Sequence, residues 1–222
     1  MAINYTLRQP IGVAACISPW NLPLYLLTWK VAPALAAGNT VVAKPSEVTP
    51  MTAFLFSKIC IEAGLPKGVL NIVHGLGSKV GDPLTTHLDT PIVSFTGGTV
   101  TGKHIASVTA PMFKKLSLEL GGKNPNIIFD DADFEKAVSV AARAAFTNQG
   151  QICLCGSRVF VQKGIYDKFK EALIVKTKKL KVGDPKNPKS QLGAVVSEEH
   201  MNKILDKIAL AKSLGGDILI GG

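Results

Sequence analysis

Ile11-Gly12-Val13-Ala14-Ala15-Cys16-Ile17, then Leu24-Tyr25-Leu26-Leu27-Thr28-Trp29-Lys30-Val31-Ala32-Pro33-Ala34-Leu35-Ala36, then Thr40-Val41-Val42-Ala43 decide the fold. A short apolar run, a stretch with helical pattern and a second β-branched run make one β-α-β unit. The rhythm repeats along the chain. Thr49-Pro50 reads as an N-cap followed by proline at the first helical position, and the helix it opens stops at Gly64. Val69–Val73, Ile92–Phe95 and Lys115–Leu120 read as further strands with helical segments between them. Past Gly121-Gly122 come strand Asn126–Phe129, a helix from Asp133 to Phe146 and strand Arg158–Gln162. A basic helix, a Gly/Pro/Asp loop (Val182–Pro188), a helix near Ser197–Ser213 and strand Asp217–Ile220 follow. This alternation predicts an α/β fold, a mostly parallel sheet with helices on both faces. A junction at Gly121 divides the chain into 1–121 and 122–222. The last strand meets Gly221-Gly222 with no neighbour to take its backbone hydrogen bonds, which reads as truncation.

Composition narrows the function classes. With 46% hydrophobic residues in 222, the chain can bury a sizeable core and is not intrinsically disordered. No apolar run approaches the roughly 20 residues that span a bilayer, and Met1 to Arg8 lacks the features of a signal peptide. The chain reads as soluble and cytoplasmic, without a membrane partner. Cys16, Cys60, Cys153 and Cys155 make no disulfide framework, and the four histidines are scattered, so no metal site is expected. The net charge of +9 invites a nucleic-acid reading. Nine lysines between Lys163 and Lys189 carry much of it, but Ile165, Phe169, Leu173 and Leu180 recur among them at helical spacing. The lysines therefore read as the wet face of an amphipathic helix. Few aromatics are available for stacking, and no nucleic-acid partner is expected. A basic balance still suits anionic ligands such as dinucleotides.

Five segments hold residues suited to chemistry. Gly150-Gln151-Ile152-Cys153 places a thiol in a loop between a helix end and a strand, where backbone donors assist its deprotonation. Cys155 competes for that role, and taken alone either cysteine suits a small buried hydrophobe. In Leu116-Ser117-Leu118-Glu119-Leu120-Gly121-Gly122, strand alternation puts the leucines on one face and Ser117 with Glu119 on the other. Glu119 then stands at the ligand-binding end of a parallel strand, placed for a general base or for a plain surface position. Phe95-Thr96-Gly97-Gly98-Thr99-Val100-Thr101-Gly102 is a glycine-rich strand-to-helix turn that would let a backbone approach a pyrophosphate. It departs from the standard GxGxxG spacing. Lys44-Pro45-Ser46-Glu47 leaves the second strand at the same sheet end, where Lys44 and Glu47 could grip ribose hydroxyls and Glu47 would repel a 2′-phosphate. Ser18-Pro19-Trp20-Asn21-Leu22-Pro23 is stiffened by two prolines, and the Asn21 amide could donate to an oxyanion. Singly, each of these suits an ordinary turn or loop.

Together and in order, Pro19-Trp20-Asn21-Leu22-Pro23, Lys44-Pro45-Ser46-Glu47, Phe95-Thr96-Gly97-Gly98, Leu118-Glu119-Leu120-Gly121-Gly122-Lys123 and Asn148-Gln149-Gly150-Gln151-Ile152-Cys153 resemble the aldehyde dehydrogenase superfamily over essentially the whole chain. The wording from Ile17 to Lys30, with Cys153-Leu154-Cys155, is most similar to the branch that oxidises muconic semialdehydes, the 2-aminomuconic and 2-hydroxymuconic enzymes. The resemblance implies a three-layer α/β fold: a partial Rossmann-type coenzyme domain over 1–121, then part of an α/β catalytic domain over 122–222. It implies NAD as cofactor, a small aldehyde as substrate and a homo-oligomer in the full-length form.

Residue roles follow from the same matches. The family nucleophile stands two residues after Gly-Gln, which selects Cys153 over Cys155. Asn21 and the Cys153 N–H would hold the oxyanion, and Glu119 would activate the hydrolytic water. Lys44 and Glu47 would bind the adenosine ribose, and Gly97-Gly98 would lie by the pyrophosphate. The rest of the coenzyme site would comprise Ile17, Ser18, Pro19, Trp20, Ser46, Gly77, Gly81, Phe95, Thr101, Leu120 and Gly121. The family usually carries serine or another small residue at position 98, so Gly98 forgoes a hydroxyl contact but keeps the backbone one. The family's first βαβ units, its Glu-x-Phe-Gly-Pro segment and a later subunit-pairing strand have no counterpart, so the chain reads as an internal fragment. The alternative is a short, inactive form that binds cofactor or full-length subunits.

Overall fold

The computed structural model describes residues 2–222, which form two compact units divided between Leu120 and Gly121. In the first, five strands run parallel: β1 (Val13–Ile17), β2 (Thr40–Lys44), β3 (Leu70–Ile72), β4 (Ile92–Gly97) and β5 (Lys115–Leu120). Their order is β3-β2-β1-β4-β5. The chain winds outward from β1 through β2 to β3, then crosses back to add β4 and β5 on the other side. The topological switch point therefore lies between β1 and β4, where ligands of open parallel sheets bind.

Both faces of this sheet are covered. Ala14 and Cys16 of β1 turn to one face with Val41 and Ala43 of β2. There they meet Leu27 and Val31 of α1 (Pro23–Ala36) and Ala53 of α2 (Met51–Glu62). Ala15 and Ile17 turn to the other face with Val93, Phe95 and Ile105 of α4 (Thr99–Thr109), and Leu84 of the short α3 (Asp82–Thr86) packs against them. Strict alternation along β5 puts Leu116, Leu118 and Leu120 into that second cluster. Buried strands need apolar residues on both sides, which is why β1 reads as an unbroken apolar run.

Gly121–Gly222 holds two parallel strands, β6 (Pro125–Ile128) and β7 (Arg158–Val161), with α5 (Phe134–Phe146) and α6 (Tyr166–Lys178) packed around Ile128, Val138, Ala141 and Phe169. Asp133 caps α5, its carboxylate accepting from the Lys136 N–H at 3.1 Å. Phe169 is buried and Ile165 and Leu173 pack beside it, so the helix turns its lysines outward, as the periodicity of that stretch requires. Ser197 caps α7 (Glu198–Ser213). Among the described residues no helix is long and apolar enough to cross a membrane.

Two local expectations need correction. Asp217–Ile220 forms no strand: Ile218 and Leu219 are substantially exposed, and no neighbouring strand satisfies the backbone there. Thr49 does not cap α2 with its side chain, because Pro50 occupies the N-cap position and the Thr49 hydroxyl donates instead to the Trp20 carbonyl at 3.2 Å. The helix does end as read, with Gly64 at φ +80°.

Candidate functional site

β1 ends between its two neighbours, with Ile17 in register with Lys44 on one side and Phe95 on the other. Whatever follows these three strands is therefore gathered at one sheet edge, and a cleft of about 620 Å³ opens there. Its walls include Ile17, Ser18, Pro19 and Trp20 after β1, Lys44, Ser46 and Glu47 after β2, and Phe95, Gly97 and Gly98 at the end of β4. Gly77 and Gly81 enter from the turn before α3, and Thr101 from the first turn of α4. Thirteen of the fifteen residues expected to contact coenzyme thus line a single cavity. Leu120 does not, since alternation sends its side chain into the apolar cluster, where it lies against Gly102. Gly121 opens the second unit.

The chemistry of this cleft suits a dinucleotide. Lys44 is almost fully buried, and its Nζ donates to Glu47 Oε2 at 2.8 Å and to the Pro45 carbonyl at 3.2 Å. Burial pushes the Glu47 carboxyl up, but the hydrogen bond and charge of Lys44, with a backbone N–H, outweigh it and hold the carboxyl below its ordinary value. The pair thus offers a fixed cation and a fixed anion side by side, matched to vicinal hydroxyls. Gly98 is the N-cap of α4 and supplies no side-chain acceptor, leaving the helix's first N–H groups to face an anion. Ser18 Oγ, buried in the cleft wall, has no hydrogen-bond partner among the described residues. A buried hydroxyl without a partner is costly unless a polar ligand satisfies it. These features fit NAD.

Sequence reasoning missed part of the lining: Ser78, Asp82, Thr85, Thr96, Val100, His104 and Ile105. His104 Nε2 and Asp82 Oδ1 lie 3.0 Å apart and tie α4 to α3. Twenty-two positions separate them, so no local spacing announces the pair. Lys30 was missed as well. Its amine is buried and donates to Ser94 Oγ at 3.1 Å, and burial holds its pKa below the ordinary value against the pull of Cys16 and Glu119. Glu119 itself stands on the outward face of β5 in register with Thr96, and Asn21 is half-buried in the turn that enters α1.

Cys153 is half-buried in the second unit, in the loop between α5 and β7. The approach to it is unusual. Asn148 (φ 52°), Gln149 (φ 58°) and Gly150 (φ 74°) adopt the left-handed conformation in succession. Two of the three carry side chains, which is costly unless surrounding contacts hold them. Gln151 helps to do so: its N–H donates to the Asn148 carbonyl at 2.9 Å, and its Oε1 accepts from the Val196 N–H at 3.1 Å. Cys155 is buried, with its N–H donating to the Ile152 carbonyl at 3.1 Å. Of the two cysteines in the loop, Cys153 is the more accessible.

The model of the aldehyde dehydrogenase family matches residues 1–222. The 2-aminomuconic semialdehyde dehydrogenase of Mus musculus is 52% identical over 219 residues, which are 99% of this chain and 45% of that protein. A 2-aminomuconic 6-semialdehyde dehydrogenase from a Pseudomonas species is 48% identical over 222 residues, covering all of this chain and 45% of its own. The chain thus spans under half the length of these curated relatives. Among solved structures, betaine aldehyde dehydrogenase from Staphylococcus aureus in complex with NAD+ superposes with a TM-score of 0.93 at 48% identity, covering 96% of this chain and 42% of that one.

Proposed function

We propose, because the chain belongs to the aldehyde dehydrogenase family, that the whole protein oxidises an aldehyde to its carboxylic acid with NAD. In this reading residues 1–121 supply the coenzyme-binding portion and 122–222 part of the catalytic domain. The observation that carries it is the gathering of the Lys44–Glu47 pair, the Gly97-Gly98 turn and the buried Ser18 hydroxyl on one cleft. Lys44 and Glu47 would take the ribose hydroxyls, and the start of α4 would take the phosphates. Glu47 would meet a 2′-phosphate with like charge, which selects NAD over NADP.

Cys153 is the nucleophile. Its thiolate attacks the carbonyl carbon, a C–S bond forms, and the Asn21 amide with the Cys153 N–H stabilises the oxyanion. Bound NAD would supply the acceptor for the hydride that this thiohemiacetal gives up, leaving a thioester on Cys153. Glu119 then takes a proton from water, whose oxygen attacks the thioester carbonyl. The C–S bond breaks, the acid leaves and the thiolate is restored.

The substrate in this reading is a small semialdehyde carrying a carboxylate, as the names of the two relatives suggest, and the +9 charge is compatible with an anionic ligand. The parent is a cytoplasmic homo-oligomer. The test uses the full-length protein with a muconic semialdehyde and with betaine aldehyde, following NADH. Cys153→Ser should abolish NADH formation. Glu119→Gln should give a first turnover of NADH and then a steady rate at least 10² lower, the lower end of what general-base catalysis supplies. Equal turnover in both variants would refute the roles, and a preference for the cationic betaine aldehyde would refute the substrate class.

A second reading rests on the chain spanning 45% of its relatives' length. A polypeptide of these residues alone would bind cofactor or full-length subunits without turning over. The intact mass of the native protein separates the two: a mass well above 23.5 kDa supports the enzyme reading.

A further inference from the structure

One side chain reaches two backbone carbonyls of the loop that carries Cys153. Asn124 Nδ2 donates to the Cys153 carbonyl at 2.7 Å and to the Cys155 carbonyl at 3.2 Å. Two carbonyls from residues two apart in sequence thus converge on one amide nitrogen, which has one hydrogen for each. Cys155 O accepts a second bond, from the Ser157 N–H at 2.8 Å, and the Gly156 N–H reaches the Ala144 carbonyl at 3.1 Å. On the upstream side, the three left-handed residues Asn148, Gln149 and Gly150 bring the chain into the loop. A backbone with that many unfavourable dihedrals keeps its shape only where contacts over-determine it, and Asn124 grips it at the nucleophile itself.

The position of Asn124 is equally constrained. Pro125 follows it and confines its backbone to extended conformations. The Arg158 N–H donates to the Asn124 carbonyl at 3.2 Å and the Arg158 guanidinium Nε–H to the Lys123 carbonyl at 2.8 Å, stapling this segment to the start of β7. Gly122 leaves the necessary room, since a Cβ there would stand 3.3 Å from Asn124 Oδ1 and 3.6 Å from the Cys153 carbonyl. Both partners of Nδ2 are carbonyl oxygens, so only a donor serves at this position. A carboxylate of the same shape would set negative charge against both.

We propose that Asn124 is a positioning residue for the nucleophile: it fixes the Cys153 and Cys155 carbonyls and thereby aims the Cys153 side chain and N–H for acylation. The proposal rests on the reading of Cys153 as nucleophile. Asn124 touches neither substrate nor cofactor in this role, and it acts through the Cys153–Leu154 and Cys155–Gly156 peptide planes.

The test uses the full-length protein without cofactor and p-nitrophenyl acetate, an activated ester that acylates a thiolate with release of p-nitrophenolate. The burst amplitude counts competent sites, and the burst rate constant reports acylation at each. Asn124→Ala should lower the rate constant about 10- to 100-fold at undiminished amplitude, the scale expected when a reacting group is misplaced by about 1 Å. Asn124→Asp should show the same loss at pH 8, since a carboxylate donates to neither carbonyl. Asn124→Ser keeps one donor and should fall between, which covers an alanine variant that does not fold. A rate constant within twofold of the parent, or a loss confined to amplitude, would overturn the proposal. A burst that survives Cys153→Ser would instead remove the reading on which it rests.

Discussion

At residue scale, the cleft depends on charges held in place by their neighbours. Glu47 is 41% exposed, and Lys44, buried beside it, donates to it at 2.8 Å and helps hold its carboxyl below the ordinary value. Because its carboxyl lies below the ordinary 4.5 in the folded protein, the stabilisation from this pair is complete above that value. It is lost as the pH falls through the lowered one. Solvent screening keeps it to at most about 1 kcal/mol. In the proposed function its weight falls on binding rather than stability. Glu47→Gln should raise the Kd for NAD about tenfold, roughly 1.4 kcal/mol, and narrow the preference over NADP. Calorimetric titration of both nucleotides checks this, and an unchanged ratio would remove Glu47 from the ribose site. The Lys44–Glu47 pair was legible because its members stand three apart in one loop. His104–Asp82 was not, because the fold alone joins α4 to α3. Asn124 escaped for the same reason: its partners lie 29 and 31 positions away.

Elements were legible where one physical signal dominated. The strand at Lys115–Leu120 forms over the residues read, because its alternation of leucine with polar residues leaves one register that buries the apolar set. The strand read at Asp217–Ile220 fails although its local pattern is apolar, since pairing is supplied by a neighbour and not by the segment. Helix α4 shows how closely element and sheet are matched. A Cβ on the buried Gly102 would come within about 2.5 Å of Leu120 Cδ2. Gly102→Ala should therefore cost about 1–3 kcal/mol despite the better helix propensity of alanine. In α5 the cap is the exposed part: Asp133→Ala removes the acceptor for the Lys136 N–H and should cost about 1 kcal/mol. Urea unfolding of both variants checks these values, and a stabilised Gly102→Ala protein would show that Leu120 gives way freely.

At the scale of the whole molecule, burial of ionisable groups in the first unit makes its stability depend on alkaline pH. Cys16 is 1% exposed beneath α1, and burial pushes its thiol from 9.0 up to about 11, with Lys30 pulling the other way. A raised folded pKa means the contribution is complete below pH 9 and is lost as the pH climbs towards 11. For a shift of this size the loss is about 2–3 kcal/mol. Lys30 works in the opposite sense, because its lowered pKa makes the unfolded chain bind the proton first, so stability recovers as the pH rises towards 10.5. Comparing the parent with Cys16→Ala isolates the thiol. The difference in unfolding free energy should be constant to about pH 8.5 and shrink by about 2–3 kcal/mol by pH 11; a constant difference across that range would contradict the assignment. Residue order alone carries the alternation of strands and helices, the burial of β1 on both faces and the family, because periodicity and residue type are local properties of the chain. Which side chains meet is settled by packing in three dimensions. The fold set Ile17 between Lys44 and Phe95, turned Leu120 out of the cleft, drew His104 to Asp82 and closed Asn124 on the carbonyls of Cys153 and Cys155. Such contacts are fixed by strand order and packing between residues far apart in the chain, and no spacing along it carries that information.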